Sequence, residues 1–222
     1  MPCLPPKLRY ERDNGTFFGR ERELEWIHKS FVDRHIIAIY GLGGIGKTRL
    51  AVEYIYAYER DYNAIFWATA DTKDSITLSF VAMAQQLLDC EPRILAESTL
   101  NLGTFTSMAR RRNLTDHHGS ILTNETDRVV SAVISWLSDS AENWLLVLDN
   151  ADDLDSVDLR SFLPTAASRR ILITSRDPKS RHLGIGLETQ ALPEDAAVQL
   201  LLQNAGKEGE GKSIRISSWM SF

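Results

Sequence analysis

The chain has 222 residues, 43% of them hydrophobic and 25% charged, with a formal net charge of -5. That composition suits one globular domain with a full core, and the absence of a long basic stripe argues against general nucleic-acid binding. No apolar run approaches the ~20 residues of a membrane helix. The Pro-containing start lacks the apolar segment of a signal peptide, and Cys3 and Cys90 have neither disulfide-framework nor metal-pair spacing, so a reducing cytoplasm is expected.

Residues 1–16 read as an irregular lead-in, rich in Pro and charge. A helix follows, with Leu24, Ile27, His28 and Phe31 at helical spacing, and His28 reads as the edge of that stripe rather than a ligand. His35 to Tyr40 is a short apolar, β-branched run leading straight into glycines, the pattern of a buried parallel strand. From Lys47 onward Leu50, Tyr54 and Tyr58 share one helical face, flanked by Ala51 and Ile55, which indicates a core stripe. Ala64 to Thr69 is a second strand, followed by a helix carrying Ile76, Phe80, Ala84 and Leu87.

Residues 90–124 contain Pro92, Gly103, Gly119 and scattered polar residues, and read as an irregular insertion with at most short helices. Arg110 to Arg112 reads there as a solvated face, and His117-His118 has no Cys or carboxylate cluster to make a metal site. A helix then shows Val129, Val130, Val133, Ile134 and Leu137. Trp144 to Leu148, Arg170 to Thr174 and Gly186 to Thr189 are the third, fourth and fifth strands. Pro193, Glu194 and Asp195 open the last clear helix, since Pro and acids suit a first turn. Strands alternating with helices imply a parallel sheet covered on both faces.

The chemistry concentrates in three places. Gly41-Leu-Gly-Gly-Ile-Gly-Lys-Thr48 fits the pattern G-x-x-x-x-G-K-[ST] between a strand and a helix. Gly41 and Gly46 permit backbone angles that a Cβ forbids, so successive amides and the following helix start can face a β-phosphate. Lys47 suits the β/γ oxygens and the Thr48 hydroxyl suits Mg²⁺. Gly41 to Gly46 also satisfies the dinucleotide fingerprint G-x-G-x-x-G, with Asp71 after the second strand as a ribose-binding acid. That reading has no use for Lys47-Thr48 at the helix start. It also leaves unexplained Trp144 to Asp149, an apolar strand ending in the acid that a Mg²⁺ site beside a phosphate loop requires. The third place is Thr174-Ser175-Arg176, at the carboxyl end of a strand where a crevice lies. Arg176 there is suited to sensing a γ-phosphate, and the plain alternative is a capping Thr174 or Ser175 with an ion-paired arginine.

On these motifs the chain resembles the NB-ARC modules of STAND-class P-loop NTPases, the nucleotide-binding domains of NOD-like receptors, over roughly Phe17 to Ala205. Phe17-Phe18-Gly19-Arg20-Glu21 is similar to the family's opening motif, whose backbone borders the adenine. Gly41 to Thr48 matches its phosphate loop, Leu145 to Asp149 its Mg²⁺-binding strand, Thr174 to Arg176 its sensor arginine, and Leu192 to Ala196 the start of its next helix. Asp149-Asn150-Ala151-Asp152 and Ala64 to Trp67 resemble fungal versions. The resemblance implies an α/β three-layer P-loop NTPase sandwich with five parallel strands in the order 5-1-4-3-2.

The candidate nucleotide-binding residues are Phe18, Gly19, Arg20, Gly41, Gly43, Gly44, Ile45, Gly46, Lys47, Thr48 and Arg49, with Thr48 and Asp149 for the metal. Asp149, Asp152 and Arg176 are the candidate catalytic residues, and the cofactors expected are ADP or ATP with Mg²⁺. The family has a second acid after the metal-binding aspartate, where this chain has Asn150. An amide cannot accept a proton from water, so base catalysis would fall to Asp152 or Asp153, and slow hydrolysis is expected.

Of the chain-end motifs of the family, Gly-Leu-Pro-Leu and Met-His-Asp are absent. The segment 206–222 is therefore expected to be an unstructured tail of a shortened version of the domain. The leading function is a Mg²⁺-dependent nucleotide switch that changes contacts with protein partners, including further copies of itself, without nucleic acid or membrane. An active ATPase or small-molecule phosphotransferase, and an inactive receptor fragment, are the alternatives.

Overall fold

The computed structural model describes residues 17, 19–89, 102–140, 143–165 and 169–204. The expected lead-in, the expected tail and Phe18 lie outside the described residues. Five strands, β1 (Ile36–Tyr40), β2 (Ala64–Thr69), β3 (Trp144–Asp149), β4 (Arg169–Ser175) and β5 (Ile185–Glu188), form one sheet in the order β2-β3-β4-β1-β5. Every pairing is parallel. Read from the other edge, this is the 5-1-4-3-2 order of the P-loop NTPase fold.

The period of two along the strands divides the core between the two faces of the sheet. Ile37, Ile39, Ile65, Leu145, Val147 and Leu172 pack on one face, with Ile27 and Phe31 of α1 (Glu21–Asp33) and Leu50, Tyr54 and Ile55 of α2 (Lys47–Tyr58). Ala38, Phe66, Leu146, Leu148, Ile171 and Ile173 turn to the other, under α3 (Lys73–Asp89) and α5 (Thr126–Asp139). Central β3 is buried along its whole length, which is why it reads as a continuous apolar run rather than an alternating one. His28 stacks on Tyr58 with ring centroids 3.9 Å apart, a packing role in keeping with its place at the edge of the stripe.

The segment expected to be irregular is more ordered than its sequence suggests. Residues 90–101 lie outside the described residues, but α4 (Leu102–Arg111) follows and packs beside α3 and α5. Phe105 and Ala109 are fully buried, Phe105 lies edge-on to Trp136 with centroids 6.0 Å apart, and Leu114 and Ile121 close the core below it. Too few apolar residues mark the stripe for it to stand out among Gly103, Thr104 and Thr106. Arg110 and Arg111 occupy the last turn of α4 and are exposed, where positive charge suits the carbonyl end of a helix. The last helix, α6 (Glu194–Asn204), starts one residue after Pro193, whose carbonyl accepts from the Ala197 N–H at 2.9 Å.

Candidate functional site

The carboxyl ends of β1, β3 and β4 gather the three motifs. β1 runs into the glycine loop, and the Thr189 N–H beyond β5 donates to the Tyr40 carbonyl at 2.7 Å. That pairing brings β5 so close that a Cβ on Gly41 would sit 2.5 Å from the Thr189 carbonyl oxygen, and Gly41 has φ +149°. Gly46, with φ +95°, precedes α2 in the left-handed region, so the helix starts at Lys47 with its first amides turned toward the loop.

Lys47 is 8% exposed, and its ammonium donates to the carbonyls of Gly41 at 2.9 Å and Leu42 at 2.8 Å. Burial pulls its pKa below the usual lysine value. The carboxylates of Asp152 and Asp149 oppose that shift, and the Arg176 guanidinium adds to it. These charges therefore share one electrostatic neighbourhood at the mouth of the loop.

Asp149 ends β3 nearly buried, and its Oδ1 accepts from the Thr48 hydroxyl at 2.8 Å. The Thr174 hydroxyl of β4 donates to the same oxygen at 2.5 Å, while Thr174 Oγ1 accepts the Asn150 N–H at 2.9 Å. The Asn150 N–H occupies a lone pair of Thr174, so the threonine proton is directed to Asp149. Asn150 itself is exposed, at φ +63°, a left-handed turn that asparagine tolerates better than most residues. The residue standing where a second acid was expected thus carries the turn out of β3.

That turn is stitched to the end of β4. Ala151 N–H donates to the Thr174 carbonyl at 2.8 Å, and the Ser175 hydroxyl donates to the Ala151 carbonyl at 2.5 Å. Asp152 then faces residue 176: its Oδ1 accepts the Arg176 main-chain N–H at 2.6 Å and its Oδ2 accepts Nε at 2.5 Å. Asp153 instead accepts the Ser156 N–H at 3.0 Å and organises the following turn. Arg176 borders the loop, since a Cβ built on Gly43 would lie 3.4 Å from Arg176 Cδ.

At the other end of the loop, Arg20 is 5% exposed, and its Nη2 donates to the carbonyls of Ile45 at 2.9 Å and Gln190 at 2.8 Å. Its Nη1 pairs with Glu23 at 3.1 Å. Gly19, with φ +74°, leaves no room for a Cβ beside Ala196 of α6. The opening motif thus joins the phosphate loop to the segment after β5, a tie that motif matching alone did not suggest. Gly44 contributes a left-handed turn of the loop at φ +73°. Arg49 pairs along α2 with Glu53 at 2.8 Å. Sequence placed Thr174 in the polar cluster ending β4 but not its bond to Asp149, which depends on the pairing of β3 with β4.

Thr48 and Asp149 offer hard oxygen donors, the kind Mg²⁺ prefers when phosphates and water complete its shell. Among the described residues there is no group of three or more His, Cys, Asp or Glu able to hold a metal by protein side chains alone. The pair fits a phosphate-bridging ion, and a fully protein-coordinated one would need more ligands. Among the described residues, no helix is long and apolar enough to cross a membrane.

A glycine loop between β1 and α2, with its buried lysine and a threonine–aspartate pair across the strand ends, defines a nucleotide-binding P-loop ATPase module. A family model described as AAA ATPase domain matches residues 16–174. The chain belongs to that family of P-loop ATPase domains. A nucleotide-binding leucine-rich repeat (NLR)-like protein of Hyaloscypha variabilis is 26% identical, over 89% of this chain and 20% of the relative. This chain therefore spans about one fifth of that relative's length. A solved STAND protein with a tetratricopeptide repeat sensor, from Pyrococcus horikoshii, is 19% identical over 92% of this chain and 28% of that chain, with a TM-score of 0.47.

Proposed function

We propose that this domain is a Mg²⁺-dependent ADP/ATP switch with slow hydrolysis, of the kind used in NOD-like receptor signalling. The observation that carries the reading is the Thr48–Asp149 hydrogen bond of 2.8 Å across the mouth of the glycine loop that holds Lys47. In this reading the loop amides of Gly43, Gly44 and Gly46 and the start of α2 receive the phosphates, and Lys47 exchanges its two carbonyl partners for phosphate oxygens. Thr48 and Asp149 would hold Mg²⁺, which would supply positive charge against that of the phosphates. Gly19 and Arg20 border the adenine side through their link to the segment after β5, and Arg176 meets the γ-phosphate.

Slow turnover follows from the proton acceptors. Asn150 cannot act as a base, and both carboxylate oxygens of Asp152 are engaged by residue 176. A site that binds nucleotide well and cleaves it poorly persists in each bound state, which suits a switch better than a metabolic enzyme. Partner contacts in the reducing cytoplasm, including those with further copies of the chain, belong to this reading.

Titration calorimetry of the chain with ADP and ATP, with and without Mg²⁺, tests it together with single-turnover hydrolysis. Tight Mg²⁺-dependent binding with turnover far below the ~10 s⁻¹ median of enzymes supports the switch. Turnover at that median would make the protein a working ATPase, and absence of binding would make it an inactive fragment.

A further inference from the structure

Asp152 is one of the two acids to which base catalysis would fall, yet its geometry serves another purpose. It grips one residue at two points, the main-chain N–H and the Nε of Arg176. The carboxylate is 12% exposed, while the arginine is 63% exposed. An ordinary surface ion pair joins the mobile tips of two side chains and contributes little. Here the acid side is fixed instead: Ala151 and Ser175 tie the loop to β4, and the Asp152 N–H donates to the Asn150 carbonyl at 2.8 Å. Bonding at Nε takes the inner edge of the guanidinium and leaves the fork of Nη atoms, which has no hydrogen bond among the described residues. The arginine stem lies against the loop at Gly43, and the two charges act on Lys47 in opposite directions, the acid raising its pKa and the arginine lowering it.

We propose that Asp152 is a positioning residue for Arg176. It holds the guanidinium by its inner edge at the rim of the phosphate loop, so that the outer edge is preset for the terminal phosphate of a nucleoside triphosphate. The inference rests on the nucleotide reading above and assigns Asp152 a role other than the proton acceptor suggested by sequence. Freed from this grip, an exposed arginine would sample several rotamers, and each binding event would have to order it again. Immobilising such a side chain costs conformational entropy, which weakens binding. A charge-assisted fork depends on that order for its full strength.

The test compares Mg-ADP with a non-hydrolysable Mg-ATP analogue by titration calorimetry, in the wild type, Asp152→Ala, Asp152→Asn, Arg176→Ala and the double variant Asp152→Ala/Arg176→Ala. The expected result is that Asp152→Ala weakens the triphosphate analogue on the order of tenfold, the effect of one well-placed charged hydrogen bond, and leaves Mg-ADP within about twofold. Asp152→Asn should fall between, since its amide oxygen accepts one of the two bonds. The double variant should be no weaker than Arg176→Ala alone, because the acid acts through the arginine. Mg-ADP affinity also reports folding, and Asp152→Asn stands in if the alanine variant does not fold.

If Arg176→Ala is selective against the triphosphate while neither Asp152 variant is, the positioning role is overturned and the nucleotide reading stands. If the Asp152 variants bind the triphosphate more tightly, the acid restrains Arg176, and the proposal is equally overturned. If no variant separates the two nucleotides, the sensing role of Arg176 fails and takes the proposal with it.

Discussion

The hydrogen-bond chain from Asn150 through Thr174 to Asp149 makes a quantitative prediction about how Asp149, the proposed Mg²⁺ ligand, is held. Thr174→Val keeps a β-branched side chain of similar size and deletes the hydroxyl, so the loss is chiefly that of its hydrogen bonds. Thr174 is 1% exposed and Asp149 5% exposed, and the lost bond goes to a carboxylate, a class that contributes ~1.5–3 kcal/mol. Asp149 keeps the Thr48 hydroxyl, and water can reach Asn150 at the exposed turn, so little is added to that loss. The expected destabilisation is ~2–3 kcal/mol. Thr174→Ser keeps the hydroxyl and removes one methyl, worth ~0.8 kcal/mol. Denaturant unfolding without nucleotide should show the two midpoints falling in that order at unchanged slope. With Mg-ADP, the valine variant should also lose part of the Mg²⁺ dependence of binding, because Asp149 is no longer held on two sides. If Thr174→Ser is as unstable as Thr174→Val, the methyl matters more than the hydroxyl, and the proposed chain of donors is refuted.

Three further outcomes are expected. Mg-ADP at ~100 times its dissociation constant should stabilise the wild type by ~2.7 kcal/mol and Lys47→Ala by far less, as read from thermal melting; equal stabilisation would remove the lysine from the site. Asp149→Ala should abolish the Mg²⁺ dependence of nucleotide binding in calorimetry, and retained dependence would place the ion elsewhere. The buried Tyr54–Tyr62 hydroxyl pair, 2.6 Å apart, should make the fold sensitive to alkali. Burial pushes Tyr62 up from 10.0 to about 12 and raises Tyr54 as well. A group with a raised folded pKa stabilises the fold below its unfolded value, and that stability is lost as pH rises toward the folded one. For Tyr62 the window is therefore pH ~10 to ~12, at up to ~1.4 kcal/mol per pH unit. Tyr62→Phe should flatten part of that slope in pH-dependent unfolding, and an unchanged slope would assign the loss to other groups.

The sheet was legible because its strands announce themselves in two ways. β1 and β3 are apolar runs bounded by motif residues, and β4 ends in the polar cluster Thr174 to Arg176. The phosphate loop was legible because its residue types are dictated by backbone geometry, as the close approach of Thr189 to Gly41 illustrates. Helix α4 was not, since its few buried residues pack chiefly beside α3 and α5, elements outside its own stretch of sequence.

The role of Asp152 was hidden for a similar reason. In the sequence it is one of two adjacent acids after a missing one, and reaction chemistry alone makes either a candidate base. What separates Asp152 from Asp153 is the left-handed turn at Asn150, which lays the chain back along β4 and brings the first acid to Arg176 and the second to Ser156. The same asparagine that removes a proton acceptor from the metal strand therefore sets the register in which the next acid meets the arginine. Loss of a base comes from the Asn150 amide, and the held arginine from the turn its backbone makes. Both favour a site that distinguishes bound nucleotides over one that turns them over.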